Sequence, residues 1–471
     1  MLMTTLFPWQ EEAVNKLLPI RVGALYFEMG LGKTRTTLEM IQRRLDAGKI
    51  DYALWLCPCS VIENLKADIR KHSDLLDKII VYGIETLSSS VRVYELLLKM
   101  TETRRMMLIV DESNLVKNHR AKRTQRIITL AERCRYRLIL NGTPVSRNEA
   151  DLFAQWYILD PRILGYNSYW SFAANHLVFD DKIPGKVVRV LNTDYLSEKI
   201  APYSYTVRKE DVLQLPEKRV RTMSFYLTSE QRSHYENVMD EFLSELLNVD
   251  NPEIASETAI YRTFTALQQV TSGRRIVSPA SEHIRHEHFF DDIREDPRIE
   301  CLANLLEIID GKAIIWVKFQ HEADDVLSLI EQMYGKESAA IFTGSVSLRK
   351  RNEAIEHFRG DAQVLIANKT CAGYGLNLQF AYNVIYYNND WNWATRSQSE
   401  DRVHRIGQQH AVEIWNIAAD RTIDERILRN LDRKENLVDD FKRNLKKIDG
   451  LRNWLNGIEE GENNDPTGVH K

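Results

Sequence analysis

Residues 24–45 read ALYFEMGLGKTRTTLEMIQRRL. Four apolar residues, Ala24 to Phe27, run into a turn carrying Gly30 and Gly32, and a helix-patterned stretch follows from Thr36 to Leu45. Strand, glycine turn and helix in that order open a parallel α/β unit. Working outward, short apolar runs of the same kind recur in two groups: Ala24–Phe27, Ala53–Cys57, Lys78–Tyr82, Met106–Val110 and Arg137–Leu140, then Ala313–Val317, Ser338–Phe342, Gln363–Ala367, Asn383–Tyr387 and Val412–Asn416. Continuous rather than alternating apolar runs suit parallel strands covered on both faces by helices. Helical patterns such as Val61–Arg70, Ala323–Gln332 and Arg349–Phe358 lie between them. The expected fold class is α/β, with two doubly wound parallel-sheet lobes.

The segment between the groups reads differently. It opens with Tyr157, Tyr166, Tyr169 and Trp170 and carries helical stretches over Ser229–Leu247 and Ile254–Thr271, so it is expected as a mainly helical connector and not a third sheet. The expected boundaries are 1–160 for the first lobe, 161–295 for the connector, 296–450 for the second lobe and 451–471 for a polar tail. The closing GENNDPTGVHK is too polar to build a core and is expected to be disordered.

At 471 residues the chain has length for two to four domains. Lys plus Arg is 63 and Asp plus Glu is 67, and a formal net charge of −4 does not announce a nucleic-acid binder. The total hides local differences, because residues 281–300 carry −4 and residues 457–471 carry −3, leaving the other 436 at +3. His119 to Arg137 holds seven Arg or Lys against Glu132 alone; such a run reads either as a solvated helix face or as a track for an anionic polymer. Five cysteines without paired spacing favour a reducing compartment. The start, MLMTTLFPWQEE, lacks a signal-peptide pattern and no apolar run approaches membrane-spanning length, so a cytoplasmic protein with no membrane partner is expected.

Gly30-Leu31-Gly32-Lys33-Thr34 stands where a phosphate-cradling loop is built: glycines admit backbone N–H groups to the phosphates, Lys33 reaches the outer phosphates, and the Thr34 hydroxyl can ligate magnesium. The eight-residue frame starts at Phe27, where the general pattern has Gly. Asp111 and Glu112 follow the strand MMLIV; a carboxylate there can hold magnesium and its neighbour can polarise an attacking water.

With these residues, EMGLGKT (28–34), LCPCSVIENL (56–65), VDESNLVKN (110–118), LILNGTP (138–144), AGYGLNL (372–378) and QSEDRVHRIGQ (398–408) resemble the ordered motifs of the Swi/Snf-type DNA translocases, a branch of helicase superfamily two. The resemblance runs from Phe7 to about Lys434 and looks like a minimal bacterial or phage-like form without accessory domains. It implies two RecA-like lobes, ATP and Mg²⁺ as cofactors, and ATP hydrolysis coupled to movement along double-stranded DNA by a monomer. It implies that Gln10 reads the adenine edge; that Glu28, Met29, Gly30, Leu31, Gly32, Lys33, Thr34 and Gly375 line the nucleotide; that Thr34 and Asp111 hold the metal; and that Glu112, Gln398, Arg402 and Arg405 serve hydrolysis, the arginines as fingers. It further implies DNA-phosphate contacts around Pro58, Ser60, Thr143, Gly344 and Ala372. A strand-separating DNA or RNA helicase is the nearest alternative, and an ATP-gated DNA clamp that does not translocate is the alternative from another class.

Departures from the family pattern are Ser113 and Asn114, where Ala and His are usual after the acids, and Asn141, where Thr is usual. The acids survive, so hydrolysis is expected, while the fourth position puts its link to movement in question. His283, His286 and His288 beside Asp291 and Asp292 are expected as a solvated acidic linker, a structural metal being the alternative. Trp391 and Trp393 could stack on bases; packing between a strand end and a helix is the expected role.

Overall fold

In the computed structural model the chain divides into two compact units, residues 1–214 and 215–471. The structure describes residues 2–142, 149–180, 185, 187–247, 257–277, 285–368, 376–435, 437–444 and 448–457.

The first unit is built on a six-stranded parallel sheet. Its strands are β1 (Val22–Phe27), β2 (Tyr52–Cys57), β3 (Ile79–Gly83), β4 (Met106–Val110), β5 (Tyr136–Leu140) and, after a small antiparallel hairpin of β6 (Leu177–Phe179) and β7 (Val187–Val190), β8 (Ser204–Val207). The order across the sheet is β3-β2-β4-β5-β1-β8. Successive side chains enter opposite cores: Ala24, Leu54, Leu56, Leu108, Val110 and Ile139 on one face, and Leu25, Phe27, Trp55, Met107, Ile109 and Leu138 on the other. Both faces are dry, which is why these strands read as unbroken apolar runs.

The second unit repeats the plan. After β9 (Lys218–Phe225) and a short hairpin of β10 (Arg274–Ile276) and β11 (His286–His288), it holds β12 (Ala313–Val317), β13 (Ala339–Phe342), β14 (Val364–Asn368), β15 (Asn383–Tyr386) and β16 (Val412–Ala419). The parallel sheet runs β13-β14-β12-β15-β16-β9. The helices Ser229–Leu247, Glu257–Thr271, Ile423–Arg433, Leu437–Asn444 and Ile448–Leu455 build a further apolar core from Tyr235, Phe264, Ile427, Phe441 and Trp454 among others.

The division at Gln214 falls inside the segment expected as a connector. That segment supplies an edge strand to each sheet as well as helices. β8 is four residues long, and β9, KRVRTMSF, is exposed along most of its length with Lys and Arg on its free edge, a charge pattern that discourages edge-to-edge pairing. Neither presents a continuous apolar run. The helix Ile448–Leu455 buries Leu451, Trp454 and Leu455, so packed structure continues past the expected lobe end at 450.

Arg298 fastens the second unit. It is fully buried, and its guanidinium donates to Thr271 O at 2.9 Å, Thr271 Oγ1 at 3.0 Å, Ile417 O at 3.4 Å and Tyr387 O, and pairs with Asp424. One side chain thereby joins the end of helix Glu257–Thr271, the ends of two strands and helix Ile423–Arg433.

Trp391 lies with the Lys318 ammonium 3.6 Å from its ring centre and with Tyr261 and Phe264 at 5.0 and 5.8 Å. Its neighbours are protein groups, in keeping with packing. On β11, His288 faces Arg274, and the His286 ring stands 5.1 Å from His321. His283 lies outside the described residues.

Candidate nucleotide site and the second-unit motif

Parallel register sets the geometry. Leu25 of β1 is level with Leu140 of β5, and Val110 of β4 is level with Ile139, so Glu28, Asp111 and Asn141 leave the sheet at one end. In open α/β sheets that carboxyl end is where ligands bind.

The loop after β1 is closed by its own lysine: Lys33 Nζ donates to Phe27 O at 2.9 Å. Gly30 and Gly32 have φ of 84° and 81°, the left-handed region that glycine enters without strain. Gly32 caps the helix Lys33–Asp46 without a side-chain acceptor, and the first turn has no acid. Its free N–H groups and positive dipole end, with Lys33 beside them, favour an anion.

Gln10 is buried. Its Oε1 accepts from Phe7 N at 3.0 Å and its Nε2 donates to Leu31 O at 3.1 Å, so the amide braces the loop; Trp9 Nε1 donates to the same carbonyl at 3.2 Å. A Cβ on Gly32 would stand 2.1 Å from Gln10 Nε2. Gly32→Ala therefore meets a left-handed backbone cost of about 1–2 kcal/mol and displaces a buried hydrogen bond worth about 1 kcal/mol. Affinity for ATP, measured by titration calorimetry, is expected to fall roughly 10- to 100-fold; unchanged affinity would show that the loop does not hold nucleotide.

Glu28 Oε2 accepts from Lys209 N at 2.8 Å, tying the loop to the chain after β8. The Thr34 hydroxyl and His72 hydrogen-bond to Asp68; against burial, which pushes its carboxyl up, these bonds hold it below its ordinary value.

Asp111 accepts from Trp55 Nε1 at 3.4 Å and from Glu112 N at 3.0 Å. Burial of its carboxyl, reinforced by the charge of Glu112, pushes it up to about 6, and the Lys33 ammonium pulls the other way. An enclosed carboxylate pushed up by burial, with a loop lysine acting on it, fits a hard divalent cation. Among the described residues no cluster of three or more His, Cys, Asp or Glu could hold a metal. Magnesium does not require one, since one or two carboxylates plus substrate phosphates suffice. Glu112 has φ 47°, a left-handed conformation costing a non-glycine residue on the order of 1–3 kcal/mol.

Pro58 and Ser60 lie in the turn after β2, where Cys59 N donates to Glu85 Oε2 at 2.9 Å. In the second unit Gly344 follows β13, and its carbonyl accepts from Arg351 at 3.0 Å. Thr143, Ala372 and Gly375 lie outside the described residues.

The block 398–408 starts on helix Trp393–Glu400, which carries Gln398, and continues as turns, so Arg402 and Arg405 do not share a helical face. Arg402 is buried, and its carbonyl accepts from Leu378 N at 3.0 Å. The half-buried Arg405 guanidinium donates to Asn377 Oδ1 and to Leu376 O at 3.4 Å. Val403 is core, Gln408 bridges to Ala381 O at 3.0 Å and His404 to Pro216 O at 2.8 Å.

Sequence reasoning passed over Trp55, Asp68 and Gln155, which touch motif residues from outside the motifs.

Residues 18–278 match the SNF2-related domain, and residues 297–407 match the helicase conserved C-terminal domain. Bacillus subtilis proteins described as an uncharacterized ATP-dependent helicase, YqhH, and a putative ATP-dependent helicase/translocase, YwqA, are 24% and 25% identical over 97% of this chain, covering 83% and 50% of their own lengths. The TATA-binding protein-associated factor MOT1 of Saccharomyces cerevisiae is 25% identical over 90% of this chain, which spans about a quarter (27%) of that protein. A solved structure described as the Sulfolobus solfataricus SWI2/SNF2 ATPase core in complex with dsDNA is 22% identical, with 98% of each chain covered and a TM-score of 0.41. The domain match extends over more than half of the residues, from the phosphate loop through the acid pair to the helices beyond β9, and the chain belongs to the SNF2-related family of helicase-type ATPases.

Proposed function

We propose that the chain is an ATP-driven motor that moves along double-stranded DNA without sustained strand separation. The observation that carries the ATPase half is the convergence of the Gly30–Lys33 loop and the Asp111–Glu112 pair at one sheet end, close enough for Lys33 to act electrostatically on Asp111. Lys33 and the loop amides orient the outer phosphates, Thr34 and Asp111 hold the cation, and Glu112 takes the proton of the attacking water. When bound, magnesium would neutralise part of the phosphate charge.

Movement on duplex DNA is supported by the DRVHRIGQ block and by relatives named as helicases and a helicase/translocase. The turn at Pro58–Ser60 and the loop at Gly344 follow strand ends of their respective sheets, as phosphate contacts would. The basic run 119–137 contributes less than its charge suggests. Arg126 is engaged by Leu87 O at 2.7 Å and Arg133 by Glu102, while Arg120 and Lys122 stay exposed.

The test is ATP hydrolysis against duplex, single-stranded and forked DNA and RNA over a salt series, with triplex displacement and fork unwinding in parallel. Duplex-stimulated hydrolysis that disappears with Lys33→Ala, together with triplex displacement and intact forks, is expected. Fork opening would establish the strand-separating alternative, and ATP-dependent binding without displacement the clamp.

A further inference from the structure

Behind the acid pair runs a buried hydrogen-bonded chain through Gln155, a residue outside every motif. Gln155 and Ser113 are fully buried. Gln155 Nε2 donates to Asp151 O at 2.8 Å within helix Ala150–Leu159, which turns its Oε1 toward Ser113. Ser113 Oγ lies 2.5 Å from that oxygen and must donate to it. The same Oγ then accepts from Asn141 Nδ2 at 3.3 Å, so the direction of the chain is Asn141 to Ser113 to Gln155.

Two members of this chain, Ser113 and Asn141, adjoin the nucleotide site. Ser113 follows Glu112, whose left-handed backbone needs support from its neighbours. Asn141 is fully buried, and its backbone N–H donates to Leu25 O of β1 at 3.2 Å. Gly142 comes next, and a Cβ there would lie 3.4 Å from Phe27 O and 3.7 Å from Lys33 Nζ. Two of the three departures from the family pattern, Ser113 and Asn141, are thus the two sides of one hydrogen bond. Each supplies the group the other requires.

We propose that Gln155, through Ser113 and Asn141, is a positioning residue that holds the Glu112 carboxylate in register with the Lys33 loop. The proposal rests on the ATPase reading. In a dry network, removing one member takes a hydrogen bond from its neighbour and lets the Glu112 turn shift. A small displacement of the group that handles water lowers turnover without touching the loop that binds nucleotide.

Ser113→Ala, Gln155→Leu and the double variant separate the possibilities in the full chain, by steady-state hydrolysis with Lys33→Ala as a control and by binding of a fluorescent ADP with magnesium. Each single variant is expected to lower kcat on the order of 10-fold, with KM for ATP and ADP affinity within about two-fold. The double variant is expected to be no slower than the worse single one, the non-additivity of a shared chain. Unchanged kcat, additive losses, or KM rising in step with the fall in kcat overturn the relay. If Gln155→Leu does not fold, Ser113→Ala and Asn141→Thr carry the same comparison. A wild-type chain without hydrolysis overturns the ATPase reading and the relay together. An active wild type with an inactive Lys33→Ala and an unaffected Ser113→Ala overturns the relay alone.

Discussion

Glu112→Gln is expected to lower ATP hydrolysis roughly 10²- to 10⁴-fold, the range spanned by a positioned general base, while nucleotide binding survives. The amide keeps the shape of the carboxylate and the left-handed turn, so the loop that holds phosphates is untouched. What it loses is the capacity to accept a proton from water. It also removes a negative charge from beside Asp111, relieving one of the two causes that push that carboxyl up to about 6. Binding of ATP with magnesium should therefore be equal or tighter, and phosphate release in a single turnover should be slow. A loss of less than about 10-fold would assign the proton transfer elsewhere.

Arg298→Met is expected to destabilise the second unit by about 3–5 kcal/mol, the usual cost of removing one partner from a buried ion pair. Met fills much of the volume and makes none of the hydrogen bonds. Among the described residues Asp424 then keeps hydrogen bonds from the Thr271 hydroxyl at 3.3 Å and the Ala419 N–H at 3.1 Å, and loses its guanidinium partner. For a unit of this size the melting temperature should drop by on the order of 10 °C, read by thermal unfolding of the full chain. Changing Asp424 to Leu in the same chain should recover part of the loss, because the uncompensated charge goes with it. A shift within about 2 °C for Arg298→Met, or no recovery in the double variant, would mean that other contacts hold these elements.

Glu112 differs from the buried Arg298 and Gln155 in how visible it is in the sequence. Glu112 follows Asp111 at the end of an apolar run, and the glycines and Lys33 stand at fixed spacing after another. Such groups sit at strand ends because the chemistry needs backbone approach and carboxylates there, so local order reveals them. Arg298 and Gln155 lie in helices without any distinguishing neighbour, and their partners are between 27 and 126 residues away for Arg298 and 42 away for Gln155 to Ser113. Gln10 shows an intermediate case. Its place before the loop was legible, but the bracing of Leu31 O by its amide depends on how helix Pro8–Leu17 packs. Arg402 and Arg405 stand three apart, a spacing that shares a face only within a helix; the helix stops at Glu400 and turns follow.

The amino-acid order by itself determined the two α/β sheets, because strands dry on both faces must be apolar throughout, and it determined the phosphate loop and acid pair, because their chemistry is carried by neighbours in sequence. Tertiary structure alone decided the edge strands β8 and β9, whose largely solvent-facing residues gain a partner only when a sheet is already there to accept them. It also decided which polar side chains are buried and with whom. A hydrogen bond between residues distant in sequence leaves no periodic trace, and its energy exists only once packing has excluded water from both ends.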